Sequence, residues 1–437
     1  MLGAFRSALA TPDLRRKILF TLGILVVYRL GATMPAPGVS YVNIQQCLDQ
    51  AAAGDSQNIY SLINLFSGGA LLQLSVFALG IMPYITASII TQLLTVVIPR
   101  YEQLKKEGQS GQAKLTQYTR YLTIALAVLQ STGIVALAVR GQLFPDCAIP
   151  PIPDKSVFNL VVIVVVMTAG TAIIMWLGEL ITSRGVGNGM SLLIFTQIAA
   201  VFPSALWQIR LTNGWDVFAI ILVIGLVVVA AVVFVEQAQR RIPVQYAKRM
   251  VGRRSYGGTS TYIPLKVNQA GVIPVIFASS LLYLPALIVQ FSAGDSGTLS
   301  GFEQWISTTF TTGASPVYML VYATLIIFFT YFYVSITFNP TDVADNMKKY
   351  GGFIPGIRAG KATADYLSYV LSRITLPGAL YLTLVSLIPL IAFVLVNANQ
   401  NFPFGGTSVL IMVGVGLDTV KQIESQLQQR NYEGFLR

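Results

Sequence analysis

The chain has 437 residues, of which 54% are hydrophobic and only 11% charged, with a formal net charge of +11. A soluble domain carries about 25% charged residues, so the composition excludes an ordinary globular protein. Histidine is absent, which removes Ser-His and Cys-His nucleophiles, imidazole metal ligands and histidine-held haem together.

Ten apolar stretches come close to the ~20 residues that span a ~30 Å hydrocarbon layer. In chain order they are Ile18–Met34, Val76–Ile98, Leu122–Val139, Val157–Leu180, Met190–Ile209, Val217–Val235, Val272–Phe291, Val317–Phe338, Ile374–Val396 and Thr407–Val420. Met1–Lys17 is polar and basic with no cleavable signal apparent, and the first apolar stretch is long enough to stay in the bilayer. With both termini placed in the cytoplasm, 25 of the 29 basic residues fall on the inner side. The outer side holds only Arg140, Lys155 and Arg210, with Arg29 inside the first stretch. The positive-inside rule reads this asymmetry as orientation. Much of the net charge then serves orientation and attraction to anionic lipids.

The longest outer segment, Pro35–Ser75, contains apolar pieces too short and broken to span, around Tyr60–Phe66, Gly68 and Gly69. It reads either as an interfacial loop or as a short helix folded back toward the bundle interior, where protein or water can satisfy irregular backbone. Cys47 and Cys147 both fall on the outer side, which permits a disulfide without establishing one. Two inner segments are far longer than hairpins need. Glu236–Lys266 reads EQAQRRIPVQYAKRMVGRRSYGGTSTYIPLK, and Asn339–Arg373 contains NPTDVADNMKKYGGFIPGIRAGKATADY. Their prolines and paired glycines fix turns, so they read as shaped projections that present Arg and Lys to phosphates or to an acidic protein face.

The midpoint near Leu211–Trp215 leaves five stretches on each side. Two odd-numbered halves have opposite membrane orientation, as in inverted-repeat transporters, although the halves show no convincing sequence identity. Intramembrane charge, the usual mark of an ion pathway, is scarce. Glu179 and Glu236 sit at inner helix ends, and Asp418 lies late in the weakest stretch. Gly185–Gly189 (GVGNG) lacks the spacing and the preceding strand of a phosphate loop and reads as a tight hairpin. Ile81 and Ile85, around Pro83, and Met190 and Ile194 are i, i+4 pairs on single helix faces, a pattern every span contains. The residues thus predict an all-α polytopic membrane protein with no catalytic group, metal or cofactor, and leave its cargo open. A secondary carrier would need a midplane acidic site, and an intramembrane enzyme a nucleophile with its base.

Seven stretches, in this order, resemble one family. They are Tyr60–Gln92 (YSLINLFSGGALLQLSVFALGIMPYITASIITQ), Lys105–Tyr121 (KKEGQSGQAKLTQYTRY), Met175–Phe195 (MWLGELITSRGVGNGMSLLIF), QRRIPVQYAKRMVGRRSYGG within Glu236–Gly258, Pro264–Ser280 (PLKVNQAGVIPVIFASS), Gly351–Gly360 (GGFIPGIRAG) and Asp418–Leu436 (DTVKQIESQLQQRNYEGFL). Across nearly the whole chain they resemble the SecY family, the channel subunits of the bacterial general protein-secretion translocase.

The resemblance implies ten helices in two pseudo-symmetric inverted halves, residues 1–210 and 211–437, closed around a central hourglass pore. It implies an apolar pore ring at Ile81, Ile85, Met190, Ile194, Ile276 and Ile411, with Met190 standing where many relatives have Ile. A plug falls at about residues 60–77, centred on Leu62, Ile63, Asn64, Leu65, Phe66, Ser67, Gly68 and Gly69. Spans two, three, seven and eight would form a lateral gate for signal sequences and membrane segments. The inner segments at about 236–266 and 339–373 would dock the ribosome, through its RNA and proteins, or the SecA ATPase. Arg358 is the leading docking residue, with Arg253, Arg254, Lys248 and Arg249 behind it, and Ala359 replaces the proline common after that arginine. SecE and SecG would be the constant partners, nascent chains the cargo, YidC and SecDF further associates, and the bacterial plasma membrane the location. Docked partners would supply the energy, so the chain itself would be a passive channel rather than an enzyme.

Overall fold

A computed structural model of the chain describes residues 10–52, 69–141, 143, 147, 149–246, 249–251, 254–256, 260–279, 281–282, 301–306, 309, 315–396 and 406–433. These residues divide into two compact units. The first comprises the chain to Trp215 together with residues from Val415 onward, and the second Asp216 to Gly414 apart from residues 400–403. The C-terminal stretch thus groups with the first unit, although its place in the sequence is at the far end of the second half.

The first unit contains α1 (Pro12–Thr33), α2 (Tyr41–Ala52), α3 (Met82–Val97), α4 (Pro99–Lys106), α5 (Gln109–Val139), α6 (Val157–Arg184) and the start of α7 (Gly189–Gln237). Prolines open α1, α3 and α4, where the missing N–H is one that no helical carbonyl would accept anyway. Pro99 also forces Ile98 into an extended conformation (φ −103°, ψ 114°), and the chain turns by 100° between α3 and α4. The apolar stretch Val76–Ile98 is therefore not one straight span: its helix begins only at Met82. Inside α7, Gly214 (φ 81°) interrupts the helical backbone, so the fifth and sixth apolar stretches are joined by a single break. Among the described residues, five helices are long and apolar enough to cross a membrane, or six if α3 and α4 count as one broken span.

Many hydroxyls inside this unit are satisfied locally, as hydrocarbon surroundings favour. Thr119 on α5 donates to Thr91 on α3 at 3.2 Å and to the Leu115 carbonyl at 3.0 Å. Arg120 on α5 grips Glu179 on α6 with two bonds of 2.9 and 2.7 Å and reaches Gln117 Oε1 at 3.1 Å. Glu179, an isolated acid in the sequence, is thus half of a fork-shaped ion pair.

The second unit departs from an all-helical chain. After α7 come β1 (Gln239–Tyr246), β2 (Arg249–Val251), β3 (Arg254–Tyr256) and β4 (Ser260–Lys266). Then follow the short α8 (Gly301–Ile306), α9 (Pro316–Thr337), α10 (Pro340–Lys349), β5 (Gly352–Phe353), α11 (Lys361–Val396) and α12 (Gly406–Glu433), whose first residues belong here. A three-stranded antiparallel sheet runs β4-β1-β5, with Ile242 opposite Ile263 and Gln245 opposite Phe353. Both long inner segments therefore contribute to one sheet. Pro243 lies where β1 has no partner on its second side and Pro264 lies on the edge strand β4, the positions a strand proline tolerates. β1 alternates, burying Ile242 and Val244 while exposing Arg241 and Gln245. The buried face packs on Leu265, Met347, Ile354, Leu367 and Val370. At the start of α10, Asn339 Oδ1 accepts from the Thr341 N–H at 3.1 Å, and Lys348 and Lys349 fill its last turn, so both helix ends are complemented.

Elsewhere in the first unit, Cys47 of α2 and Cys147 are joined by a disulfide, with Cα atoms 5.3 Å apart and a sequence separation of 100. The same junction is made by Asn43 Nδ2 donating to the Pro150 carbonyl at 3.0 Å and the Ser40 N–H donating to Pro151 at 3.1 Å. Cys47 is fully buried in an apolar cluster with Ile44, Leu74, Ile152 and Met167. A cross-link closing so long a loop typically contributes about 2–4 kcal/mol by restricting the unfolded chain. The Cys47→Ser, Cys147→Ser double variant should therefore unfold at a lower temperature in detergent than the oxidised protein. Reductant should lower the wild-type midpoint and leave the variant's unmoved. Equal midpoints for all four samples would remove this contribution.

Candidate functional site

In the first unit the elements around the ring positions converge on one apolar cluster. Ile81 is 1% exposed and lies in a core with Ile24, Tyr28, Phe77, Ile174, Leu177, Ile181 and Leu193; Ile85, Met190 and Ile194 are partly buried against it. Two close approaches set Met190. A Cβ on Gly189 would fall 1.9 Å from the Gly178 carbonyl oxygen, and one on Gly178 would meet Met190 Sδ at 2.4 Å. At Gly189 the obstacle is backbone, so glycine there lets α6 and the start of α7 come this near. The turn between them is fixed by Thr182 Oγ1, which accepts from the Gly189 N–H at 2.9 Å, and by Asn188 Oδ1, which accepts from the Met190 N–H at 3.1 Å. The GVGNG run is the hairpin its sequence predicts.

Residues 69–80, which lead into Ile81, form turns rather than helix. Their backbone is tied to the end of α1: the Ala36 N–H donates to the Leu74 carbonyl at 3.0 Å, and the Val76 N–H to Met34 at 2.9 Å. Phe77 stacks on Tyr28 with centroids 5.8 Å apart. It fills a notch that Gly31 leaves open, since a Cβ there would be 2.1 Å from its ring, while a Cβ on Gly170 would be 2.0 Å from the Val76 carbonyl oxygen. The Tyr28 hydroxyl accepts a hydrogen bond from Gln197 Nε2, and that amide lies against Gly80, whose φ of +56° needs glycine. Tyr28 and Gln197 escape sequence reasoning, because a lone Tyr and a lone Gln in apolar stretches carry no spacing signal.

In the second unit Ile276 and Ile411 are both buried. Ile276 lies in the helical stretch 273–279, and Ile411 in the first turns of α12. The plug positions Leu62 to Gly68 lie outside the described residues; Gly69 opens the turn segment with φ +89°. Of the docking positions, Lys248 and Arg253 lie outside the described residues, while Arg249 and Arg254 pair as the ends of the β2–β3 hairpin, opposite Tyr256 and Val251. Arg358 is exposed in the turn between β5 and α11, where its carbonyl accepts from Thr363 Oγ1 at 2.9 Å. Around the sheet, Arg240, Arg241, Lys348, Lys349 and Lys361 are exposed as well, with Arg241 stacked on Tyr262 at 4.8 Å. In the first unit, the hydrogen bond and charge of Lys106, 2.7 Å away, hold the Glu102 carboxyl below the usual carboxylate range.

No group of three or more acidic or cysteine side chains suited to a metal occurs among the described residues. What the geometry offers is apolar closure in the core and exposed cationic donors on a rigid sheet.

The comparisons with known proteins agree with one another. A family model described as SecY matches residues 75–420. A protein translocase subunit SecY of Streptomyces scabiei is 68% identical over 443 residues, covering 100% of both chains. That of Mycobacterium tuberculosis H37Rv is 64% identical over 442 residues, again covering 100% of both. The chain belongs to the SecY family. Among solved structures, one described as a protein conducting channel aligns with a TM-score of 0.61 at 20% identity, covering 94% of this chain and 91% of that one. Sec61 in the canine ribosome-channel complex from the endoplasmic reticulum aligns with a TM-score of 0.59 at 19% identity, with the same coverages. The fold is that of these channels, and this SecY-family chain is a helical membrane protein.

The glycine notches give a direct check on the turn segment that leads into Ile81. Gly170→Val drives a branched side chain into the Val76 carbonyl, and overpacking of this kind costs about 1–3 kcal/mol. It should lower the thermal midpoint of the purified protein and raise the protease sensitivity of residues 69–80. Gly23→Ala, where nothing lies within 4 Å, should hold or raise the midpoint. Equal behaviour of the two variants would contradict the close fit at Gly170.

Proposed function

We infer that this chain is the central pore-forming subunit of the Sec protein-conducting channel. It passes unfolded secretory proteins across the bacterial plasma membrane and releases membrane segments sideways into lipid. The observation that carries this reading is the end-to-end match to translocase subunits at 68% identity. Both termini lie in the cytoplasm, the orientation supported by the sorting of 25 of the 29 basic residues to one side.

Ile81, Ile85, Met190, Ile194, Ile276 and Ile411 form the constriction. A conduit for unfolded chains must admit every side chain yet hold back ions, which a fixed polar filter cannot do. An apolar ring closes by dewetting and moulds around the passing peptide, and the thioether of Met190 adds compliance. Residues 60–77 act as the plug, and spans two, three, seven and eight as the lateral gate. The basic sheet and its neighbouring turns, with Arg358 foremost and Lys248, Arg249, Arg253 and Arg254 beside it in this role, dock the ribosome or SecA. Those partners supply the energy, and SecE and SecG complete the channel.

Ile276→Asn and Ile411→Asn test the ring. An amide among apolar partners costs roughly 1–3 kcal/mol, enough to shift a gate balanced within a few kcal/mol. Both variants should export substrates with defective signal sequences and raise resting ion conductance in planar bilayers. Wild-type signal selectivity and conductance in both would overturn the ring assignment.

Arg358→Glu tests docking. The variant should insert and bind SecE normally, because many inner basic residues remain, but translocate poorly. If Arg358 meets a ribosomal phosphate, the variant's salt slope for ribosome binding falls by about 0.7–0.9, whereas impaired SecA docking appears as weakened ATPase stimulation. Unimpaired binding of both partners at low and physiological salt would leave Arg358 with no docking role.

A further inference from the structure

In the first unit, the segment that ends at the Gly214 break carries a stacked triplet. The Arg210 guanidinium carbon lies 4.2 Å from the centroid of the Trp207 ring and 4.1 Å from that of Trp215. Gly214, at φ 81°, turns the chain so that Trp215 returns against Arg210. Cation–π attraction to both indoles holds the guanidinium, yet the two indoles are 55% and 64% exposed, so these rings do not serve to fill a core. A guanidinium held in this way keeps five N–H donors in a planar fork, and cation–π contact does not consume them as hydrogen bonds. Among the described residues, ion pairs such as Lys106–Glu102, Lys114–Glu107 and Arg120–Glu179 do not involve Arg210.

The triplet's place in the chain supplies the environment. It lies between the apolar helix Gly189–Ser204 and the span Gly214–Gln237, the most hydropathic among the described residues. This is a membrane boundary, the level at which exposed tryptophan is enriched. Arg210 is also one of only three basic residues on the side opposite the basic loops, so orientation charge does not explain it.

We propose that Trp207, Arg210 and Trp215 form a binding site for the phosphodiester of an anionic phospholipid headgroup, in the leaflet opposite the basic loops. The indoles embed at the headgroup level and hold the guanidinium edge toward the phosphate, which accepts its N–H donors. A net-negative headgroup is preferred because a zwitterionic one brings its own ammonium to compete for the same phosphate.

Native mass spectrometry of the full chain, delipidated in detergent and titrated with phosphatidylglycerol or phosphatidylcholine, tests the site. The wild type should retain one more phosphatidylglycerol than Arg210→Gln. The tightest phosphatidylglycerol should bind the variant about tenfold more weakly, as removal of one charge-assisted hydrogen bond predicts. Arg210→Lys should fall between them, since a point charge keeps attraction without the stacked fork. The joint Trp207→Ala, Trp215→Ala variant should lose the preference for phosphatidylglycerol over phosphatidylcholine. If Arg210→Gln retains the same lipids as wild type, or if wild type holds both lipids equally, there is no such site. A midpoint lowered equally in both lipids with unchanged retention would make the triplet a hairpin clamp only and likewise overturn the proposal.

Discussion

Backbone polar groups in a bilayer-embedded bundle must find partners within the protein, and residues 69–80 are where this chain meets that constraint without a helix. The turns bond among themselves, as in the Ser75 N–H to Ala70 carbonyl bond at 3.1 Å, and to the end of α1 through the Pro35–Ser75 bridge. Glycines at 31 and 170 let neighbouring helices pack directly against Phe77 and the Val76 carbonyl of this segment. Phe77 then joins Tyr28, Ile81 and Leu193 in one apolar cluster. The first-unit ring positions and the segment that includes the end of the proposed plug consequently share a core, so the two are coupled through packing rather than through any charged relay.

The sheet in the second unit answers a different requirement. Exposed arginines on a long loop would lose much of their attraction to a partner in ordering entropy. Here β1 is hydrogen-bonded to β4 on one side and to β5 on the other, with register fixed by the burial of Ile242 and Val244. The turn bearing Arg358 and the strand bearing Arg240 and Arg241 are thereby held on one scaffold although they are more than a hundred residues apart in sequence. Under the docking reading, reversal of one charge should disturb a surface and not merely a single contact.

The spans were legible because runs near 20 apolar residues have few alternatives to a membrane helix. Their limits were less so. Hydropathy runs on through Val76–Ile81, and the left-handed backbone at Gly69, Leu74 and Gly80 separates turn from helix. The sheet was hidden for a related reason. β5 is two residues long and its partner lies far upstream, so the alternation in RIPVQY had no visible counterpart, and the prolines within β1 and β4 argued for loops. Two outer cysteines permitted a bond, but the contact of Asn43 and Ser40 with Pro150 and Pro151 that brings them together is a tertiary fact. The ring residues are typical apolar helix residues, and they become a candidate site only through family membership. Arg210 was visible as a charge on the unfavoured side, yet its two indole partners depend on how the chain turns at Gly214.

A conduit for unfolded chains faces opposed demands on charge. Strong cationic sites attract a docked partner and fix orientation, but the same groups in the pore would bind acidic stretches of the passing chain and stall them. The distribution of polar groups in this chain separates the two. Arg120 in the first unit is neutralised by Glu179, hydroxyls such as Thr91, Thr123 and Thr330 are bonded back to their own helices, and the ring positions are all apolar. Exposed cations lie instead on the sheet and on the ends of α10 and α11, and in the first unit at sites such as the start of α1 (Arg15, Arg16, Lys17) and the last turn of α4 (Lys105, Lys106). Under the proposed function, attraction is kept where a partner docks and is absent where the substrate slides, and an apolar pore of this kind only has to yield and reseal.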